Sequence, residues 1–181
     1  MKPRHTKIAL LARYLGALLC VVLPQPAHAA APRQLPDAVY AEVTALSTSG
    51  DVLVKQGKSR EGVQAYVKAL GLLPEPVTQW EAATWLLVVI GDANFKAKFY
   101  EQALAALQDA MLCPGALGNP FIHLRLGQVN FELGNMSKAA DELARAYLQE
   151  GKAIFKEDDP KYLAFIKSRL KPPPDGWPTG W

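Results

Sequence analysis

Two stretches of the chain superpose at an offset of 36 residues, and that repetition constrains the fold more than any single side chain does. Gly91, Asn94, Phe95, Ala103, Leu107 and Ala110 return as Gly127, Asn130, Phe131, Ala139, Leu143 and Ala146. Trp85, Val88 and Ile90 return in kind as Phe121, Leu124 and Leu126. A sparser copy precedes them by 41 residues, with Gly50, Asp51, Val54, Gly62, Tyr66 and Ala69 at the matching places. Self-similarity at such a period marks stacked supersecondary units, because each unit can bury its apolar face only against its neighbours.

The first 29 residues read as something other than fold. Lys2, Arg4, Lys7 and Arg13 form a basic start, Tyr14 to Leu23 is apolar, and Ala27-His28-Ala29 supplies small residues for cleavage. That pattern is a secretory signal peptide, with cleavage expected after Ala29. Ten apolar residues are too few for a membrane span, which needs about 20. Arg13 argues against an uncleaved anchor, and Leu19 before Cys20 argues against a lipoprotein. The expected location is therefore across an inner membrane, in a bacterial periplasm, with no stable membrane insertion after cleavage. Removal of four basic residues leaves 16 basic against 17 acidic ones. A chain so nearly neutral has no polybasic footprint, and a nucleic-acid partner is not expected. Cys113 is then the one cysteine of the mature chain, and its place after Ala110-Met111-Leu112 reads as a buried small hydrophobe.

Residues 30–36 read as an Ala/Pro linker, and residues 37–170 as one all-α domain. Helices are expected from Asp37 (as N-cap) to Gln56 and from Ser59 to Leu72. Next come Val77 to Lys98 and Tyr100 to Leu112, then Pro120 to Leu133 and Ser137 to about Ala153. Gly57 and Gly134 mark turns, and Pro74, Pro76 and Pro114-Gly115 end units. A last helix over 160–170, with Asp159 as N-cap and Pro160 in its first turn, is expected to cap the stack. Glu157-Asp158-Asp159 fits that helix start better than it fits a calcium loop. The end, residues 171–181, has four prolines and two glycines and reads as an extended, flexible tail.

These residues resemble the tetratricopeptide repeat (TPR), a helix–turn–helix unit of about 34 residues, over repeats at about 43–76, 84–117 and 120–153. The third fits through Leu126-Gly127, Gly134, Ala139, Leu143 and Ala146, and the second through Ile90-Gly91, Tyr100, Ala103, Leu107 and Ala110. The first fits through Gly50, Gly57, Tyr66, Ala69 and Pro74, with Gly62 where Ala is usual. The usual first-helix aromatic is displaced by one place, to Phe95 and Phe131, leaving Leu53, Asn94 and Asn130 where the family has it. The resemblance implies a right-handed stack of antiparallel helix pairs. It implies no particular function, since such stacks serve many processes.

No catalytic residue, metal site or cofactor is expected. His123 is the mature chain's one histidine, it falls where the family packs a large side chain, and no third group would orient a Cys113–His123 pair. There is no HExxH, CxxC or phosphate loop. The resemblance instead directs attention to the groove formed by the first helix of each repeat. The candidate partner-binding residues there are Trp85, Val88, Asp92 and Phe95 from the second repeat. Phe121, Leu124, Gln128 and Phe131 come from the third. The lysine and asparagine with which chaperone-binding members clamp a free carboxylate are missing. Such an apolar groove suits a protein or peptide partner, and an exported adaptor without catalysis is the expected function. Three alternatives stay open for the aromatics: an exposed docking face, simple core, or a groove filled by the Trp177/Trp181 tail or a partner helix. A second functional reading, also by resemblance, is a type III secretion chaperone holding a hydrophobic client.

Overall fold

The computed structural model describes residues 34–172 together with Pro174 and Gly176. The expected signal peptide and most of the expected tail lie outside them. Among the described residues the fold is all-α, with no strand. Seven α-helices follow one another: α1 Asp37–Lys55, α2 Ser59–Leu70, α3 Glu81–Lys96, α4 Tyr100–Ala110, α5 Pro120–Glu132, α6 Met136–Glu150 and α7 Pro160–Arg169. Helices α1/α2, α3/α4 and α5/α6 pack as pairs, and α2 and α4 each pack on the first helix of the next pair.

The packing explains the repeated small residues. A Cβ on Gly50 would lie 2.5 Å from the Tyr66 ring. On Gly91 it would lie 2.6 Å from Leu107 Cγ, and on Gly127 2.5 Å from Leu143 Cγ. In each pair the second helix drives one large side chain into the gap that a glycine leaves on the first. Ala103, Ala110, Ala139, Ala146 and Ala69 have no exposed surface at all, so the helices meet almost backbone to backbone at those places. Gly62 departs from the usual alanine for the same reason, because a Cβ there would meet Val54 Cγ2 at 2.5 Å. In the first pair the buried Tyr66 hydroxyl also donates to Asp51 at 2.7 Å, and burial first, then that bond, raises its pKa.

Each intra-pair turn passes through a residue of positive φ: Gly57 at 78°, Lys98 at 64° and Gly134 at 79°. Lys98 is the exception, a side-chain-bearing residue held in the left-handed region that glycine tolerates best.

Several boundaries differ from the sequence expectation. Pro36, not Asp37, precedes α1, with no side-chain cap, and Asp37 is the first helical residue. The expected helix from Val77 is broken: Val77–Gln79 form a 3-10 turn and Trp80 is extended, so α3 begins at Glu81. The break lets the Trp80 indole N–H donate to the Pro74 carbonyl at 2.6 Å, seating the ring under the loop. Helix α6 stops at Glu150 because Gly151 turns at φ 65°, and a 3-10 segment, Gly151–Phe155, redirects the chain. Helix α7 starts as expected, with Asp159 accepting from the Lys161 amide and Pro160 in the first turn.

Adding a methyl at Gly127 crowds Leu143 Cγ and also the Leu143 amide nitrogen at 2.9 Å, whereas at Gly91 only the Leu107 side chain is met. Gly127→Ala is therefore expected to cost about 2–3 kcal/mol and Gly91→Ala about 1 kcal/mol. Lys98→Gly is expected to gain about 1 kcal/mol by relieving its backbone. Urea unfolding followed by circular dichroism ranks all three.

Candidate functional site

The eight candidate residues on α3 and α5 fall into three groups. Val88, Leu124 and Gln128 are buried. Asp92, Phe95, Phe121 and Phe131 are half-buried. Trp85 alone is exposed, at 39%. What covers Phe95 and Phe131 is the chain's own C-terminal return. The ring of Tyr162, on α7, lies 6.4 Å from Phe95 and 5.5 Å from Phe131, and Phe165 lies 5.1 Å from Phe131. Helix α7 thus caps the last pair, where Tyr162 and Ile166 join Leu143, Ala146 and Phe155 in a second core cluster. It also reaches back across the stack to α3.

Arg125 holds this arrangement together. Its side chain is 7% exposed, and its Nε donates to Asp92 at 2.6 Å. Its second nitrogen donates to Asp158, just before α7, at 2.6 Å, and to the Gln128 carbonyl oxygen at 2.5 Å. The guanidinium also lies 4.9 Å from the centroids of both Phe95 and Phe121. Two carboxylates balance the buried cation, and two rings supply the cation–π contact that replaces water on its faces. Asp158, which the sequence suggested only as part of a helix start, is one end of this link.

A second polar link lies at the C-terminal end of α5. Glu132 accepts from Tyr162 Oη at 2.6 Å and from Lys161 Nζ at 2.7 Å. Burial alone would raise the Glu132 pKa, but the bonds from Lys161 and Tyr162 outweigh it and hold the carboxyl below its ordinary range. For Tyr162, burial first and the Glu132 bond second raise the phenol.

His123 and Cys113, the residues weighed for chemistry, are engaged structurally. His123 is 3% exposed; its Nε2 donates to the Leu117 carbonyl at 3.0 Å and its Nδ1 meets Glu142 at 2.6 Å. Cys113 is buried, and burial, then the charge of Asp109, pushes its thiol upward, away from thiolate reactivity. Among the described residues, no three His, Cys, Asp or Glu side chains gather as a metal site. Among them, too, no helix is long and apolar enough to cross a membrane.

Sequence reasoning found the apolar positions, Tyr162 among those of the capping helix, but missed Arg125 and the reach of Tyr162 to Phe95 and Glu132. A usable signal existed: Arg125 lies in the middle of a helix whose residues Ile122 to Asn130 are otherwise apolar or uncharged, and all of them are buried. A charge in such a place needs partners.

No protein-family model and no curated protein matches the sequence. Solved structures do. The second TPR domain of human RPAP3, in complex with the HSP70 peptide SGPTIEEVD, is similar at TM-score 0.56 and 17% identity over 74% of this chain and 99% of that one. The Arabidopsis OM64 TPR domain is similar at TM-score 0.59 and 17% identity, over 73% and 99%. PcrH, in complex with the chaperone binding region of PopD, is similar at TM-score 0.51 and 16% identity, over 75% and 89%. The fold is that of tetratricopeptide repeats.

Removing Arg125 leaves the part-buried Asp158 without its cation and Asp92 with Lys96 alone. Arg125→Met is expected to cost about 3 kcal/mol, with part of the loss recovered in the double variant with Asp158→Asn, as urea unfolding would show. Because the Glu132 pKa is depressed in the fold, its contribution is complete above the unfolded value of about 4.3. It is lost as pH falls through the lower folded value. Melting curves from pH 6 down to pH 3 are expected to fall less steeply for Glu132→Gln than for the natural chain.

Proposed function

We propose that this protein of tetratricopeptide-repeat fold is an exported adaptor, which binds another protein or a peptide and catalyses no reaction. The observation that carries the reading is the uneven cover of the first-helix face. Arg125 and α7 occupy its later part, while Trp85 stays exposed at the start of α3. Exposed apolar side chains that adjoin one another, as Trp85 and Tyr40 do around one cavity, mark places where a partner completes the burial. Two of the structurally similar proteins are complexes with peptides, RPAP3 with SGPTIEEVD and PcrH with a region of PopD, which supports binding as the role of such a stack. The partner's chemistry differs from that of the acidic RPAP3 ligand. First-helix positions suited to a carboxylate clamp carry Ser47, Asp51, Val88, Asp92, Leu124 and Gln128 instead.

Export rests on the N-terminal residues: the basic start, the short apolar run and Ala27-His28-Ala29. They direct the protein across the inner membrane to the periplasm. A second reading, a chaperone that keeps a hydrophobic client, draws on the likeness to PcrH and belongs to the cytosol. N-terminal sequencing of the protein purified from its host separates the two, since a mature chain starting at Ala30 is expected here and an intact Met1 under the rival.

Trp85→Ala is expected to lose at least tenfold in partner capture from an envelope extract while its helical circular dichroism stays unchanged. Undiminished capture would put the docking surface elsewhere.

A further inference from the structure

Where α1 and α3 begin, their first turns enclose a cavity of about 370 Å³ lined by Tyr40, Trp80 and Trp85, with Asp37 and Glu81 among its other residues. Its walls combine rings and acids. Three aromatic rings converge there, and they are held differently. Trp80 is nearly buried and its indole N–H is already committed to the Pro74 carbonyl, so it offers the cavity a ring and not a donor. Tyr40 and Trp85 are 60% and 39% exposed, so both keep surface free for an incoming group. Two carboxylates, Asp37 and Glu81, line the cavity beside the rings, each exposed in the first turn of its helix. No ion pair among the described residues engages Asp37 or Glu81.

Aromatic rings and exposed carboxylates around one small cavity select for a cation on an apolar stem. The stem packs on the rings, the charge lies over their negative faces, and the carboxylates accept its hydrogen bonds. The cavity lies at the small end of the ligand-site range of about 300–1,000 Å³, suited to one side chain and the backbone beside it. We propose that this notch anchors an arginine or lysine side chain of a peptide segment of the partner. The proposal rests on the adaptor reading, whose exposed Trp85 it shares, and adds the sign of the charge that the surface recognises.

The test uses the purified chain with Trp177→Phe and Trp181→Phe, so that indole fluorescence reports Trp80 and Trp85. The probes are the capped peptide Gly-Ala-Arg-Ala-Gly, the same peptide with Gln for Arg, and the acidic peptide SGPTIEEVD. The Arg peptide is expected to give a saturable change that weakens with added salt, the Gln peptide a response at least tenfold weaker, and the acidic peptide none. Asp37→Asn with Glu81→Gln is expected to weaken the Arg peptide about tenfold, and Tyr40→Ala, an exposed change that leaves the core untouched, to weaken it too. Equal responses to Arg and Gln, indifference to the carboxylate variant, or no saturable change each overturn the notch. If envelope partner capture is lost with Trp85→Ala but survives Asp37→Asn/Glu81→Gln, the adaptor stands and the cationic anchor falls.

Discussion

Everything in this fold depends on how closely paired helices approach. Gly50, Gly91 and Gly127 leave no Cβ where Tyr66, Leu107 and Leu143 enter from the partner helix. The buried alanines Ala69, Ala110 and Ala146 have no exposed surface. Small against large, repeated in register, sets one spacing for all three pairs, and interiors packed at that density do not tolerate a shifted register. The same contact, made three times, fixes which faces of α3 and α5 are left over for anything else.

The left-over face is used by the chain itself. A short helix such as α7 has little stability in isolation, so its place is decided by what it meets. Tyr162, Phe165 and Ile166 supply apolar contact, while Arg125 and Glu132 supply directional links at two points along α5. A buried guanidinium between two carboxylates and two rings is a poor source of net stability but a strong selector among arrangements, because any other docking leaves a desolvated charge unpaired. The C-terminal return is therefore specified by polar complementarity laid over an apolar surface.

That use divides the first-helix face into a covered and an open part. Its later part, where Phe95, Phe121 and Phe131 lie, is closed by α7 and Arg125. Its beginning, around Trp85, keeps exposed rings and acids that no described cation pairs. The charges there are opposite in sign to those a carboxylate ligand would require.

Much of this was written in the sequence. Glycine, alanine and large residues recurring at fixed spacing announced helix pairs, since close packing is a local requirement that every unit must meet with the same residue types. The turns at Gly57 and Gly134 were legible for the same reason, and Lys98 was not, because only the coordinates reveal a lysine in the conformation of a glycine. The break at Trp80 was hidden too: it goes with a hydrogen bond to Pro74 that an otherwise helical pattern does not announce. The role of the aromatics could be settled only in three dimensions. Arg125 meets Asp92 and Asp158 at 33 residues to either side, and pairings so distant follow no period. Repetition within the chain determined the stack, while single, unrepeated contacts decided what covers it.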